Sequence, residues 1–389
     1  MSYYELHGAS SDKIDVHTAI KNVDQGLFPN AFCKIVPDRL TGSVDHCITL
    51  HADGSGTKAA LAYLYYKEVG DSRIFRGIAH DSLVMNLDDL LCIGASGPFL
   101  LSNTIGRNAK LISGEVLAEI INGYGDSIET LGRLGIEILP CGGETADLGD
   151  LVHTLVVDST IVVRQARATV IDCSNIQNGH VIVGLASAGQ ATYETVENSG
   201  IGTNGFTTAR HALLSSRYLE FEETYSPEIK HIAYQGRFNL GDVVYPKTTL
   251  AQALLSPTRT YAPIVAQILA KHRPSISGIF HNSGGGLTKC IRFGKNIRYI
   301  KNNIFLVPPI FSLIRSEAKL SFSEMCQTFN MGQRLEIVCN KISADAIIAI
   351  AQAFHVDAQI IGHVERSDGP NRLEIEHFGE IATYEHSGS

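Results

Sequence analysis

Several features that would classify this chain at once are missing. Its eight cysteines, at 33, 47, 92, 141, 173, 290, 326 and 339, form no CxxC pair, so a zinc ribbon and a CxxC redox motif both lack their ligands. Several lie inside apolar runs, as buried free thiols in a reducing cytosol do. The fifteen histidines show no HExxH or HxH spacing. No Lys/Arg-rich block accompanies the formal charge of −8. That argues against a nucleic-acid or anionic-membrane surface, but leaves room for a small anion held by a few local cations. The first residues, MSYYELHGASSDK, carry no apolar signal-peptide region. No run approaches the roughly 20 apolar residues of a membrane span, and no repeat of roughly 20–50 residues marks a solenoid. A cytoplasmic protein acting on small molecules is expected.

What is present is ordinary globular material, 389 residues with 44% hydrophobic and 19% charged side chains. That length exceeds one typical core, so two domains are expected. Strand patterns fall at 47–51, 99–101, 135–139 and 154–163, and helix patterns at 57–69, 78–93 and 114–134. Polar QARATVIDCSNIQNG then leads into a fresh strand, HVIVGLAS, which puts the boundary near residue 170: 1–170 and 171–389. The second part carries a helix pattern at 258–272, a glycine cluster at 284–286, a strand at 335–340 and a helix at 344–354. The fold class is α/β (α+β) with a mixed N-terminal sheet.

Residues 50–58, LHADGSGTK, stand between a strand and a helix. The order is not that of a Walker loop, which needs Lys before Ser/Thr and four residues between its glycines. Gly54 and Gly56 still give two permissive backbone positions, Thr57 and Lys58 a hydroxyl and a cation, and the helix N-terminus free N–H groups. Asp53 would repel a bare phosphate, so Mg²⁺-nucleotide is one reading. A strand–turn–helix corner with Asp as N-cap is the other.

In AHDSLVMNLDDLL, residues 79–91, Leu83, Val84, Leu87, Leu90 and Leu91 repeat as a buried helix face. Asp81 and Asp88 lie nearly in register and Asp89 about 100° further round. Such acids are either solvated or shared by a metal. CGGETAD at 141–147 reads as a turn or as a ligand approach around Glu144 and Thr145. HNSGGGLTK at 281–289 reads as a glycine-rich bend or as an anion nest at Gly284, Gly285 and Gly286 beside His281. In SPTRTY at 256–261, Ser256-Pro257 reads as a cap and first helical residue. Arg259 would then stand in the first turn, where a cation is unfavourable unless it holds an anion. TFNMG at 328–332 suggests no chemistry by composition.

Taken in order, DG-x-GTK, the Asp-rich helix, GGETA, PTR-x-Y, H-x-x-GGG and TFN-x-G resemble the aminoimidazole ribonucleotide (AIR) synthetases. These are the phosphoribosylformylglycinamidine cyclo-ligases of purine biosynthesis, and the resemblance runs from about residue 45 to residue 335. It implies ATP- and Mg²⁺-dependent ring closure of formylglycinamidine ribonucleotide (FGAM) to AIR, with release of ADP and phosphate. It implies two α/β domains, the first forming a barrel-like interface in a homodimer and the second an α/β sandwich. Asp53 and Asp89 match the metal acids, with Asp81 a lesser candidate. Gly54, Gly56, Thr57 and Lys58 match the phosphate loop, and Glu144 and Thr145 a segment near the reacting centre. Arg259 and Gly284–Gly286 match substrate- or phosphate-binding segments, and His281 the histidine before the glycines. Residues 10–18 fall where the family has a segment folding over ATP.

The chain departs from the family in places. Asp88 stands where the family commonly has Asn, adding negative charge to the metal region. The family's S-S-G-x-H-S-N-G is interrupted here: LASAG and TNGF are separated by QATYETVENSGIG, and the histidine before Asn-Gly is gone, with His281 the nearest replacement by motif. After TFNMG the chain reads QRLEIV where the family is apolar and glycine-rich. A sister kinase or selenophosphate synthetase would lack the PTR-x-Y and H-x-x-GGG combination. A non-catalytic nucleotide-binding paralogue would have little use for Asp53, Asp89 and GTK.

Overall fold

The computed structural model describes residue 19 and residues 22–386; residues 10–18, expected over ATP, lie outside them. The described residues build two large mixed sheets, each with its own helices, and two small two-stranded sheets. The first contains β1 (Val36–Pro37), β2 (His46–Gly54), β3 (Phe99–Arg107), β4 (Ile138–Asp147) and β5 (Leu155–Ala166), in the order β1-β2-β5-β3-β4. Only β3 and β4 are parallel, and the long helix between them, α3 (Gly114–Arg133), makes the crossover that a parallel pair requires. Helices α1 (Lys58–Val69) and α2 (Phe75–Leu91) follow β2.

Side chains alternate along these strands, as the period of two demands. Cys47, Thr49, Val157, Ser159, Ile161, Phe99 and Leu101 are buried against the helices, whereas Leu50, Leu100, Leu139 and Val156 are exposed on the outer face. Helix α2 is buried nearly all round, its polar Asp81, Ser82, Asn86, Asp88 and Asp89 included. It packs on β2, β5 and α3, and on helix 262–272 of the second domain. Leu83, Val84, Leu87, Leu90 and Leu91 are all fully buried, as their spacing predicts.

After β6 (Val181–Ala186) come four short strands, β7 (Ala188–Gly189), β8 (Asn198–Ser199), β9 (Val243–Tyr245) and β10 (Thr248–Thr249), paired β7–β8 and β9–β10. The second large sheet runs β11-β13-β6-β14-β12-β15-β16, with β11 (Ile276–His281), β12 (Ile297–Lys301), β13 (Gln333–Cys339), β14 (Ala358–Arg366), β15 (Arg372–His377) and β16 (Glu380–Glu385). Its central strands β6 and β13 are buried at every position. Only the β12–β15 pair is parallel. This is a two-domain α/β chain with mixed sheets, as expected.

Three local expectations are corrected. CGGETAD is strand, not turn: it forms most of the exposed edge strand β4. The helix expected from 258 begins at Ala262 with Pro263 in its first turn, so Ser256–Tyr261 belongs to no helix or strand, Ser256 is not its cap, and Arg259 stands outside the helix. Seven cysteines are buried, but Cys141 is exposed on β4.

Candidate active site

Strand β2 ends and α2 passes beneath it, so the inward-facing side chains of one meet the acids of the other. Asp89 lies at the centre. His281, at the end of β11, brings Nδ1 to 2.5 Å from Asp89 Oδ1, and His51 brings Nε2 to 3.2 Å from Asp89 Oδ2. The second nitrogen of His51 is 2.9 Å from Asn86 Oδ1. The Asn86 amide donates to three carbonyls, of Asp53, Ser82 and Ser159, at 2.9, 3.1 and 3.0 Å. Those bonds fix which end of the amide faces His51, so Nδ1 of the ring carries a proton.

Burial alone would raise the Asp89 carboxyl, but the two imidazoles outweigh it and hold the acid well below its ordinary range. Asp53, two residues from His51 on the same face of β2, goes the other way. Burial and then the charge of Asp89 raise it, against a 2.7 Å bond from the Gly54 N–H. Burial pulls His51 down, yet its bond to Asp89 and that acid's charge, then Asn86 and Asp53, leave the ring above its usual value. Two carboxylates from different segments, one raising the proton affinity of the other and each with lone pairs to spare, suit a hard cation. Among the described residues no group of three or more His, Cys, Asp or Glu has metal-binding geometry.

The other predicted residues are placed differently. Gly54 cannot carry a side chain, because a Cβ there would meet Asp158 Oδ1 at 1.8 Å and the Val157 carbonyl at 2.9 Å. Gly56 takes a positive φ of 57° with open space around it. Thr57 occupies the cap position of α1 but makes no capping bond, so Asp53 is not the cap and the helix N-terminus keeps free donors. Lys58 faces inward and is 1% exposed. Its Nζ lies 2.9 Å from Asp81 Oδ2 and donates to the Ser256 and Gly202 carbonyls at 2.6 and 3.3 Å. Asp81 also accepts from the Thr258 N–H at 2.8 Å. The expected phosphate-facing cation is thus a pin between the domains.

Arg259 is likewise saturated. It forms a two-pronged pair with Glu194 at 2.9 and 2.6 Å and donates to the carbonyls of Ala186, Ala188 and Gly189. It anchors the 190–202 insertion and has no donor left for a phosphate. Of the glycine cluster, Gly286 is a tight turn whose N–H bonds the Ser283 carbonyl. A Cβ on it would strike the Cys326 and Phe329 carbonyls at 2.5 Å.

Glu144 is on the other face of the sheet. Gly54, Asp158, Thr104 and Glu144 are register partners across β2, β5, β3 and β4, and that row faces outward. Asp88 does not load the metal region either. It is buried, accepts from Thr260 Oγ1 at 2.8 Å and the Tyr261 N–H at 3.2 Å, and pairs with Arg334 at 2.9 Å. So two of α2's three acids, Asp81 and Asp88, are paired with buried cations of their own, and Asp89 is the one that lies beside Asp53.

His51, Asn86, Glu194 and Arg334 escaped the sequence reading. Alternation along β2 puts 51 on the face of 53, and helical spacing puts 86 with 89, so these two were findable. Nothing local announces Glu194 or Arg334.

Fold and site together define a two-domain α/β chain in which acids from a strand and a helix face a histidine of the second domain. The chain belongs to the AIR synthase related protein family: its N-terminal domain matches at residues 36–163 and its C-terminal domain at 177–372. It is similar to the phosphoribosylformylglycinamidine cyclo-ligase of Methanococcus vannielii, at 28% identity over 82% of this chain and 78% of that one. The cyclo-ligase of Bacillus pumilus is also 28% identical, over 82% and 80%. In fold it is similar to phosphoribosylformylglycinamidine synthase II of Thermotoga maritima, with TM-score 0.56 at 12% identity over 98% of this chain and 50% of that one. A chain of a HypE–HypF complex gives TM-score 0.57 at 12% identity, over 96% and 99%.

Proposed function

We propose that this chain is a phosphoribosylformylglycinamidine cyclo-ligase, closing FGAM to AIR with conversion of ATP to ADP and phosphate. The observation that carries this is the convergence of Asp53, Asp89 and His281, from motifs far apart in sequence, at one junction between the domains. The formyl oxygen of FGAM attacks the γ-phosphorus and ADP leaves. The amidine nitrogen then attacks the formyl carbon, a proton leaves that nitrogen, and the C–O bond breaks with loss of phosphate. An amide oxygen is a poor leaving group, and phosphorylation makes it a good one, so catalysis rests on positioning and charge neutralisation.

Asp53 and Asp89 would hold Mg²⁺, which when bound neutralises phosphate charge. Gly54, Gly56, Thr57 and the uncapped α1 N-terminus are the phosphate-facing part of the nucleotide site. His281 is the candidate to receive the amidine proton, its Nδ1 tied to Asp89 and its Nε2 buried without a partner among the described residues. His51 and Asn86 orient Asp89.

A homodimer is part of this reading. Leu50, Val162, Leu100 and Leu139 are register partners, so they form one apolar row across four strands. Leu50, Leu100 and Leu139 are 64%, 42% and 44% exposed. A second copy laid on this face would bury the row together with Asp158 and Glu144, which would then contribute through the interface, along with Thr145 beside them.

The test is ADP release from Mg²⁺-ATP with and without FGAM, following AIR in parallel. One AIR per FGAM-dependent ADP is the expected result; ATP binding without AIR would refute the assignment.

A further inference from the structure

The residue lost from S-S-G-x-H-S-N-G stands two before the Asn, which here is Asn204, so its place is Gly202. Gly202 has a positive φ of 70°, and a Cβ built on it meets Arg334 first, with Nη1 at 3.4 Å and Cδ at 3.5 Å. The guanidinium of Arg334 therefore fills the space into which a side chain at 202 would point. Gly202 also lies against the phosphate loop, accepting from Lys58 Nζ at 3.3 Å, and Thr207 Oγ1 is 3.3 Å from Thr57 Oγ1.

Arg334 reaches this place because the β13–β6 register shifts between Gln333 and Leu335, and such a bulge re-aims the side chain it carries. Nη2 is held by Asp88 and by the Arg259 carbonyl, and the guanidinium carbon sits 5.5 Å from the centre of the Tyr261 ring. Arg334 is 2% exposed, yet Nε and Nη1 have no partner among the described residues. Orphaned donors on a buried cation are rare in finished structures. The Arg334 carbonyl accepts from the Asn282 N–H at 2.7 Å, one residue from His281, whose Nε2 is also unpartnered among the described residues.

Resting on the cyclo-ligase reading above, we infer that Arg334 takes over the part of the missing histidine, donating from Nε and Nη1 to phosphoryl oxygens of the activated ribonucleotide. Asp88 is its counter-ion. Two departures from the family pattern, Asp in place of Asn at 88 and Arg in the QRLEIV run, are thereby one change: the new cation arrives with the carboxylate that lets it be buried.

The test separates fold from function. Asp88→Asn with Arg334→Met restores the family residue at 88 and leaves no unpaired charge, so the double variant should melt near the unaltered protein. Its kcat for AIR formation should fall roughly 100-fold, the loss seen when one oxyanion donor is removed, with the KM for ATP little changed. Arg334→Lys keeps the ion pair but not the fork, and should also lose about 10-fold or more in kcat. Arg334→Lys decides the matter if the double variant does not fold. A folded double variant, or Arg334→Lys, working within about threefold of the unaltered chain would overturn the inference. Failure of the unaltered chain to make AIR would instead refute the functional reading on which it rests.

Discussion

Replacing Lys58 by Met distinguishes a buried pin from a phosphate ligand. In the native arrangement the ammonium is enclosed by Asp81 at 2.9 Å and the Ser256 and Gly202 carbonyls at 2.6 and 3.3 Å. Burial lowers the Lys58 pKa and the Asp81 carboxylate opposes that shift, so the pair is mutually dependent. Methionine fits the channel but leaves Asp81, 0% exposed, with the Thr258 N–H as its one hydrogen-bond donor among the described residues. Breaking a buried pair from one side costs about 3–5 kcal/mol. Adding Asp81→Asn removes the stranded charge and keeps the acceptor for Thr258. The double variant should then lose only about 1–3 kcal/mol, for the two carbonyls left without a donor. Urea unfolding read by circular dichroism and by tyrosine fluorescence gives both numbers, and coincidence of the two signals checks that the domains unfold together. The KM for ATP should stay within about threefold in the folded variants. A Lys58→Met cost below about 1 kcal/mol, or a double variant whose losses simply add, would refute the pin; a large rise in KM for ATP would return Lys58 to the phosphates.

Asp53→Asn should cut kcat by about 100-fold and weaken the dependence of rate on Mg²⁺ concentration; an unchanged Mg²⁺ titration would remove Asp53 from the metal site. Leu100→Asp puts a charge in the middle of the apolar row on the outer sheet face; by sedimentation velocity the unaltered chain should run as a dimer and the variant as a monomer, and an unaltered chain that runs as a monomer would refute the proposed interface. His80 bridges the domains, with Nδ1 3.0 Å from Ser127 Oγ and Nε2 2.9 Å from the Thr258 carbonyl, and burial lowers its pKa below the ordinary 6.5. The unfolded chain therefore binds this proton first: the contribution is complete above 6.5 and falls as the pH drops through that value. His80→Asn should flatten the acid limb of stability against pH relative to the unaltered chain, and an identical limb would exclude His80 as its source.

Local sequence determined a good deal. The β-branched run at 154–163, the alternation around 47–51 and the leucine spacing in 79–91 were enough for strands β2 and β5 and for helix α2, because period and burial are read from neighbouring residues. The motif order singled out Asp53, Asp89 and His281, which the fold brings together, and alternation could have added His51. What tertiary structure decided was the direction of the charged side chains. Lys58 and Arg259 look like anion ligands in sequence, but each meets a carboxylate from another segment, Asp81 or Glu194, and its remaining donors go to backbone carbonyls. Glu144 belongs to a recognisable motif, yet its place on the outer sheet face depends on the β3–β4 register. Asp88 appeared as surplus negative charge because its partner, Arg334, lies 246 residues away. The energy of a buried charge depends on which opposite charge reaches it, and that is a property of two chain segments brought together by the fold.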